Sequence, residues 1–225
     1  SSIKLVEYIK NFNFIKKFVQ ISTPEVYGST KKNLKENINY NPSTPYAISR
    51  ACFDNHLFAL FKNFKFPVVF TRAANVYGPG QKLYRIVPAA IYSSIFNKKI
   101  KLDGGGKSKR SFIYVTDVVE ATYKIALSGR PGNIFHVSTN NLISIKNLVQ
   151  KIFEMTKGKF KKNVNISKER LGKDKIYSLS NKKIRNELKW KPRVELKEGL
   201  FKTIEWFLRY NKKLKFENRS YIHTK

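Results

Sequence analysis

The sequence predicts an α/β protein built on a parallel sheet, and three observations predict it. Residues 17–22 and 67–71 read as short strands separated by a helical stretch at 46–64, the spacing of a strand-helix-strand unit with parallel strands. Each strand runs straight into a segment dense in polar side chains and turn residues: Ser22-Thr23-Pro24-Glu25-Val26-Tyr27-Gly28 and Arg72-Ala73-Ala74-Asn75-Val76-Tyr77-Gly78-Pro79-Gly80. Both segments then fall on one edge of the sheet, where open α/β folds bind ligands. The third observation is size: 225 residues, 41% hydrophobic and 14% aromatic, suffice for one domain or one and a half with a buried core.

The elements follow in order. Ile3, Val6, Tyr8 and Ile9 are spaced as one face of a helix over residues 1–13. The strand at 17–22 delivers the Thr23/Glu25 loop. Asn41-Pro42-Ser43-Thr44-Pro45 is a turn-rich lead-in, with Ser43 or Thr44 as a cap for the helix at 46–64. Within that helix Phe53, Leu57, Leu60 and Phe61 form an apolar stripe that suits a dimer surface and an intramolecular core equally. Val68, Val69 and Phe70 make the strand at 67–71 a buried one. A helix at 85–96 and a short strand precede the loop from Asp103 to Arg110. Gly104-Gly105-Gly106 in that loop reads as a turn, because no helix start follows it to make a phosphate cradle. Residues 111–115 form a strand and 117–127 a helix with Asp117 near its start. From about residue 132 short strands and helices alternate, including helices at 145–156 and 196–210, and the lysine cluster at 157–162 reads as an exposed loop.

Composition narrows the function classes. The formal charge of +30 arises from 45 Lys and Arg against 15 Asp and Glu. These lysines are spread among abundant Asn, Ile and Phe, so they read as a solvated basic surface that attracts phosphate-bearing ligands, and nucleic acid is disfavoured as a partner. Apolar runs such as residues 66–70 fall well short of the ~20 residues that cross a bilayer, so no membrane partner is expected. No metal site is expected either. The single cysteine, Cys52, excludes an intramolecular disulfide and is compatible with a reducing compartment, with cytoplasm as the default. The sequence has no initial Met, its one methionine is Met155, and no glycine precedes Gly28, so it is expected to begin inside a larger protein.

Tyr46-Ala47-Ile48-Ser49-Arg50 carries the chemistry forward. Tyr46 and Arg50 are four residues apart, and on a helix they project from one face about a turn from each other. A nearby cation favours phenolate, and lowering a phenol pKa from about 10 toward neutrality makes it a usable base. Alone, the pair reads more simply as a tyrosine and an arginine on a solvated face. Beside Thr23 and Glu25 it completes a hydroxyl, a carboxylate, a phenol and a cation, which together could oxidise a sugar and move its protons.

With Ser22-Thr23-x-Glu25-Val26-Tyr27-Gly28 before it and Arg72-x-x-Asn75-Val76-Tyr77-Gly78-Pro79 after it, this pattern resembles the extended short-chain dehydrogenase/reductase family. Arg110-Ser111-Phe112-Ile113-Tyr114-Val115-x-Asp117 and Arg170-Leu171-Gly172-Lys173-Asp174 extend the likeness over nearly the whole chain. Within the family it is most similar to NAD-dependent nucleotide-sugar 4,6-dehydratases of the dTDP-glucose type. The resemblance implies the C-terminal half of a Rossmann-type doubly wound parallel sheet plus a smaller mixed α/β substrate-binding domain. Residues 1–80 would belong to the NAD-binding domain, with segments at about 110–140 returning to it, and residues 81–225 mainly to the nucleotide-sugar-binding domain. Relatives begin with a Gly-x-x-Gly-x-x-Gly turn that holds the NAD pyrophosphate at a helix N-terminus. This sequence lacks that turn, which implies weak NAD binding, or none, by these residues alone.

By the same resemblance, Tyr46 takes the proton of the sugar 4-hydroxyl, Thr23 hydrogen-bonds that hydroxyl, and Glu25 removes the proton on C5. Ser22, Tyr46 and Arg50 face the cofactor. The family has lysine at the Arg50 position, and arginine keeps the charge with a different shape and reach. In dTDP-glucose dehydratases the residue between Thr and Glu is usually an Asp that protonates the departing hydroxyl; Pro24 stands there in this chain and cannot. Asn75, Arg85, Arg110, Arg170 and Asp174 match positions that hold the nucleotide diphosphate and its ribose, a role suited to guanidinium forks and a carboxylate acceptor. Relatives commonly form homodimers through the tyrosine-bearing helix. A nucleotide-sugar 4-epimerase, a UDP-glucuronate decarboxylase and a truncated non-catalytic relative are the alternatives, and Glu25 counts against the first.

Overall fold

The computed structural model describes residues 2–29, 33–168 and 178–214. Helix α1 (Ser2–Ile9) leads to strand β1 (Phe18–Ser22), which ends in one 3-10 turn (Pro24–Tyr27). Helix α2 (Pro45–Phe64), strand β2 (Val68–Ala73) and strand β3 (Asn75–Tyr77) follow. Next come α3 (Ile86–Ile95), β4 (Ile100–Asp103), a glycine 3-10 turn (Gly104–Gly106), β5 (Lys109–Tyr114), α4 (Val115–Ser128) and β6 (Ile134–Val137). The order closes with β7 (Leu142–Ser144), α5 (Ile145–Met155), α6 (Phe160–Asn163), β8 (Val164–Ser167), α7 (Lys182–Leu188) and α8 (Leu196–Leu214).

Strands β1, β2 and β6 form a parallel sheet in that order, with Ser22 opposite Arg72 and Arg72 opposite His136. Val68, Val69 and Phe70 of the central strand are fully buried because both faces are covered. On one face lie Val6 of α1 and Phe53, Leu57 and Leu60 of α2. On the other lie Ala121 and Ile125 of α4 with Ile184 and Trp190 from the α7 region. The stripe on α2 is therefore intramolecular core. A second lobe is packed around Tyr77, Leu83, Ile91, Ile152, Phe153 and Phe207, and carries the sheets β3-β5-β7 and β4-β8.

Helix α2 is fixed at both ends by local chemistry. Thr44 Oγ1 accepts a hydrogen bond from the Ala47 N–H at 3.2 Å, and Pro45 occupies the first turn, where its missing N–H costs nothing. Lys65 then turns left-handed (φ 56°) and its N–H bonds back to Leu60 and Phe61 carbonyls, ending the helix.

Three expectations change. Helix α1 stops at Ile9 rather than near residue 13, and its buried face is narrower: Val6 is fully buried while Tyr8 is 68% exposed. Residues 75–77, read as part of a loop, form a strand because they pair in parallel with residues 112–114. The lysine segment at 157–162 runs into the short helix α6, pinned by two neighbours: Phe160 packs edge-on against Phe153, and buried Asn163 donates through Nδ2 to Asn97 Oδ1 and the Lys98 carbonyl. Gly104–Gly106 is a turn, and a Cβ on Gly106 would meet the Lys146 backbone nitrogen at 2.8 Å.

Candidate active site

Strand β1 places Ser22 and Thr23 at its carboxyl end, and the 3-10 turn presents Glu25 directly beyond them. Thr23 caps that turn: its Oγ1 accepts from the Glu25 N–H at 3.3 Å. The Thr23 hydroxyl proton is thereby left to donate elsewhere. Glu25 is half-buried and Thr23 is 8% exposed.

Helix α2 runs beside this edge. Arg50 Nη2 donates to the Ile21 main-chain carbonyl, one residue before Ser22, and Tyr46, one turn earlier on the helix, is 55% exposed. Thr23, Glu25, Tyr46 and Arg50 thus belong to two elements joined at the end of β1. The Arg50 Nε is buried with no hydrogen-bond partner among the described residues. Asn75 begins β3 and is half-buried. Arg110 sits on β5, two residues before Phe112, the register partner of Asn75, and donates to the Lys109 carbonyl at 2.8 Å. Arg85 precedes α3, exposed, with its guanidinium carbon 5.5 Å from the Tyr84 ring centroid. Close by, a cavity of about 370 Å³ opens among Leu83, Tyr84, Tyr92, Lys99 and Lys101. Arg170 and Asp174 lie outside the described residues.

Behind the Thr23/Glu25 turn is a buried polar cluster that the sequence reading did not single out. Ser22 Oγ donates to Asp54 Oδ2 at 2.6 Å, so its hydroxyl proton is committed inward. Asp54 is paired with Arg72 at 2.9 Å, and Gln20 Nε2 adds a 3.3 Å bond to its other oxygen. Arg72 also donates to the hydroxyls of Tyr27 and Tyr40 and to the Asn37 carbonyl, and its guanidinium carbon lies 4.6 and 4.8 Å from the two tyrosine ring centroids. Burial works against the Arg72 charge, but Tyr27, Tyr40 and Asp54 outweigh it and its pKa moves up. Burial also pushes the Tyr40 phenol up to about 12. His136 Nε2 lies 2.9 Å from Tyr27 Oη; burial, then the charge of Arg72, pushes its pKa down to about 3, so the ring is neutral. A signal for the cluster does exist in the sequence: Arg72 is a charge within the strand that begins with the apolar run Val68-Val69-Phe70, and Asp54 interrupts the apolar face of α2.

Among the described residues no group of three His, Cys, Asp or Glu could hold a metal ion, and no helix is long and apolar enough to cross a membrane.

The protein-family model of GDP-mannose 4,6 dehydratase matches residues 1–203. The chain belongs to that family. It is 36% identical over 199 residues to the human dTDP-D-glucose 4,6-dehydratase, a match covering 86% of this chain and 57% of the relative. Among solved structures it is similar to the Bacillus anthracis dTDP-glucose 4,6-dehydratase in complex with NAD, with a TM-score of 0.84, 29% identity, and coverage of 95% of this chain and 68% of that one. It is also similar to the Thermotoga maritima UDP-glucose 4-epimerase with UDP-glucose, at a TM-score of 0.87 and 27% identity over 93% of this chain and 69% of that one. The Rossmann-type α/β fold of this dehydratase-family chain is thereby established.

Proposed function

We propose that this chain carries the sugar-facing part of an NAD-dependent nucleotide-sugar 4,6-dehydratase, a lyase acting on dTDP-glucose or a close analogue. The observation that carries the reading is the junction at the end of β1: Arg50 bonds the Ile21 carbonyl, which sets the Tyr46/Arg50 face of α2 beside the turn bearing Thr23 and Glu25.

The residues present fit the nicotinamide end of NAD. Arg50 has a buried Nε with no partner among the described residues, and Tyr46 has an exposed side chain, a cation and a hydroxyl suited to ribose oxygens. Ser22 contributes lone pairs and main chain, because its proton goes to Asp54. No Gly-x-x-Gly-x-x-Gly turn for the pyrophosphate occurs in these 225 residues. When bound, NAD supplies the oxidant at C4 and returns the hydride at C6.

Tyr46 accepts the proton of the 4-hydroxyl, and Thr23, with its hydroxyl proton available, donates to that oxygen and orients it. Once C4 is a ketone, the C5 proton is acidic, and Glu25 removes it as the C6 hydroxyl departs as water. Pro24 has no proton to give, so the proton for the departing hydroxyl comes from Glu25 or from water, and a proton from Glu25 or water returns to C5 as hydride is delivered to C6. Asn75, Arg85 and Arg110 hold the diphosphate and its ribose, and the Tyr84/Tyr92 cavity with its two lysines suits an anionic, aromatic nucleotide. The protein works as a cytoplasmic homodimer, for which Ile48 and Phe64 of α2 supply exposed apolar side chains; sedimentation at micromolar concentration tests the dimer.

The experiment is incubation of the full protein with NAD and dTDP-glucose, followed by the alkaline absorbance of the 4-keto-6-deoxy product. Product formation is expected. Formation of a C4 epimer alone, or carbon dioxide release from UDP-glucuronate in place of this reaction, overturns the reading.

A further inference from the structure

The turn carrying Thr23 and Glu25 is short, and its two ends converge on one buried ion pair. At the leading end, Ser22 Oγ donates to Asp54 Oδ2 at 2.6 Å. At the trailing end, Tyr27 Oη accepts from Arg72 Nη1. Arg72 and Asp54 close the path at 2.9 Å, both fully buried. A chain of contacts Ser22, Asp54, Arg72, Tyr27 therefore links the two ends of the turn.

A buried ion pair is weak as a source of net stability, because desolvating two charges offsets most of their attraction. Geometry is a better account of its placement. Arg72 comes from the buried central strand β2 and Asp54 from the buried face of α2, and the pair is held by Gln20, Tyr40 and the Asn37 carbonyl. Proton transfer is sensitive to displacements well under 1 Å, so a turn held at both ends by a rigid pair keeps its carboxylate in reach of one carbon.

We propose that the buried Asp54–Arg72 pair is the positioning unit of the Thr23–Glu25 turn, tied to it at one end through Ser22 and at the other through Tyr27. Asp54, Arg72 and Tyr27 are positioning residues, and Ser22, whose lone pairs and main chain are left to the cofactor, positions the turn through its bond to Asp54; the proposal rests on the reading of Glu25 as the C5 base.

Tyr27→Phe is the sharpest test, because Arg72 Nη1 keeps the Asn37 carbonyl at 3.1 Å and is not left bare, although the same change also takes Tyr27 Oη from His136 Nε2 at 2.9 Å. Ser22→Ala unties the other end. Tyr77→Phe is the control, since its hydroxyl bonds the Leu196 carbonyl in the second lobe. Hydrogen exchange is read at the Gly28 amide, which bonds the Glu25 carbonyl at 3.1 Å, and at Phe70 in the core strand. Turnover of dTDP-glucose is read on the same full protein with NAD.

Tyr27→Phe and Ser22→Ala are each expected to speed Gly28 exchange about tenfold, the factor for one lost net hydrogen bond, with Phe70 unchanged. They are expected to lower kcat about tenfold with KM unchanged, whereas Tyr77→Phe changes neither. Equal acceleration at Gly28 and Phe70, or none at Gly28, overturns the proposal; so does a local acceleration that leaves kcat intact in an active parent. If the parent turns over no dTDP-glucose while Gly28 exchange responds locally, the functional reading fails by itself, and the tethering of the turn stands.

Discussion

Arg72 and Asp54 meet at 2.9 Å with both side chains fully removed from solvent. Losing either partner leaves the other charge buried without its counter-ion, which costs about 3–5 kcal/mol. Removing both for apolar groups of similar volume escapes that cost. Arg72→Met and Asp54→Leu are therefore expected to be severely destabilising singly and much less than additive together. A double-mutant cycle by urea denaturation checks this; additivity within ~0.5 kcal/mol would show the two to be independent.

His136 makes stability depend on pH. Its folded pKa is pushed down to about 3, while the unfolded chain takes up the proton near ~6.5. Between those values the unfolded state binds one more proton, so stability is full above ~6.5 and falls by ~1.4 kcal/mol per unit as pH drops below it. Glu36, whose carboxyl burial pushes up, binds its proton earlier in the folded state and offsets part of this loss at the acid end. Thermal unfolding from pH 7 to 5 should show falling Tm, and His136→Gln should flatten the slope. An equal slope in the variant would assign it to another group.

How far the sequence disclosed this arrangement depended on whether a feature was local. The strand-helix-strand order, the Thr44 region as a cap and the ends of α2 follow from periodicity and turn chemistry within a few residues. Thr23, Glu25, Tyr46 and Arg50 were legible as a motif, but the Arg50 bond to the Ile21 carbonyl needs residues 29 apart in the chain to meet. The Asp54–Arg72–Tyr27–His136 cluster draws on four elements, and only packing brings them together. Helix α6 was hidden by its lysines, because the contacts that hold it come from Phe153 and Asn97 rather than from its own pattern.

Gly28 closes the Glu25 turn at φ 66° and ψ −158°, a region open essentially to glycine alone. A Cβ there would lie 2.4 Å from the Asn41 carbonyl oxygen, a backbone atom already bound into the neighbouring segment by the Asn41 N–H to Val26 carbonyl bond. Gly80 also has positive φ, at 78°, yet a Cβ would meet nothing within 4 Å. Gly28→Ala is expected to cost at least ~2 kcal/mol, or about 4–8 °C in Tm, and Gly80→Ala clearly less. Equal losses would mean that backbone strain alone, without the Asn41 contact, sets the cost.

Asp117 joins the lobes. Its buried carboxylate accepts from the Arg193 and Val194 N–H groups, both at 3.1 Å, holding the segment before α8 against the start of α4. Asp117→Ala leaves two amides unpaired and is expected to cost about 2–4 kcal/mol, seen as earlier urea unfolding. Asp117→Asn retains one acceptor and should recover roughly half.

Pro24 sits at the first position of the turn, buried, between the hydroxyl of Thr23 and the carboxylate of Glu25. If Glu25 removes the C5 proton, the departing hydroxyl draws its proton from Glu25 or from water, and a dedicated acid at position 24 would relieve that demand. Aspartate is well tolerated at the start of a helical turn, and burial there would raise its pKa and keep it protonated near neutrality. Pro24→Asp is thus expected to raise kcat for dTDP-glucose, on the order of tenfold or more, within the range of general acid catalysis. Glu25→Gln should lower product formation at least ~100-fold while leaving C4 oxidation, read as transient NADH absorbance, in place. In the pair Pro24→Asp with Glu25→Gln, the new acid should not rescue product, because it protonates the leaving group but cannot take the C5 proton. Rescue of the double variant would place the C5 base elsewhere and remove Glu25 from the elimination.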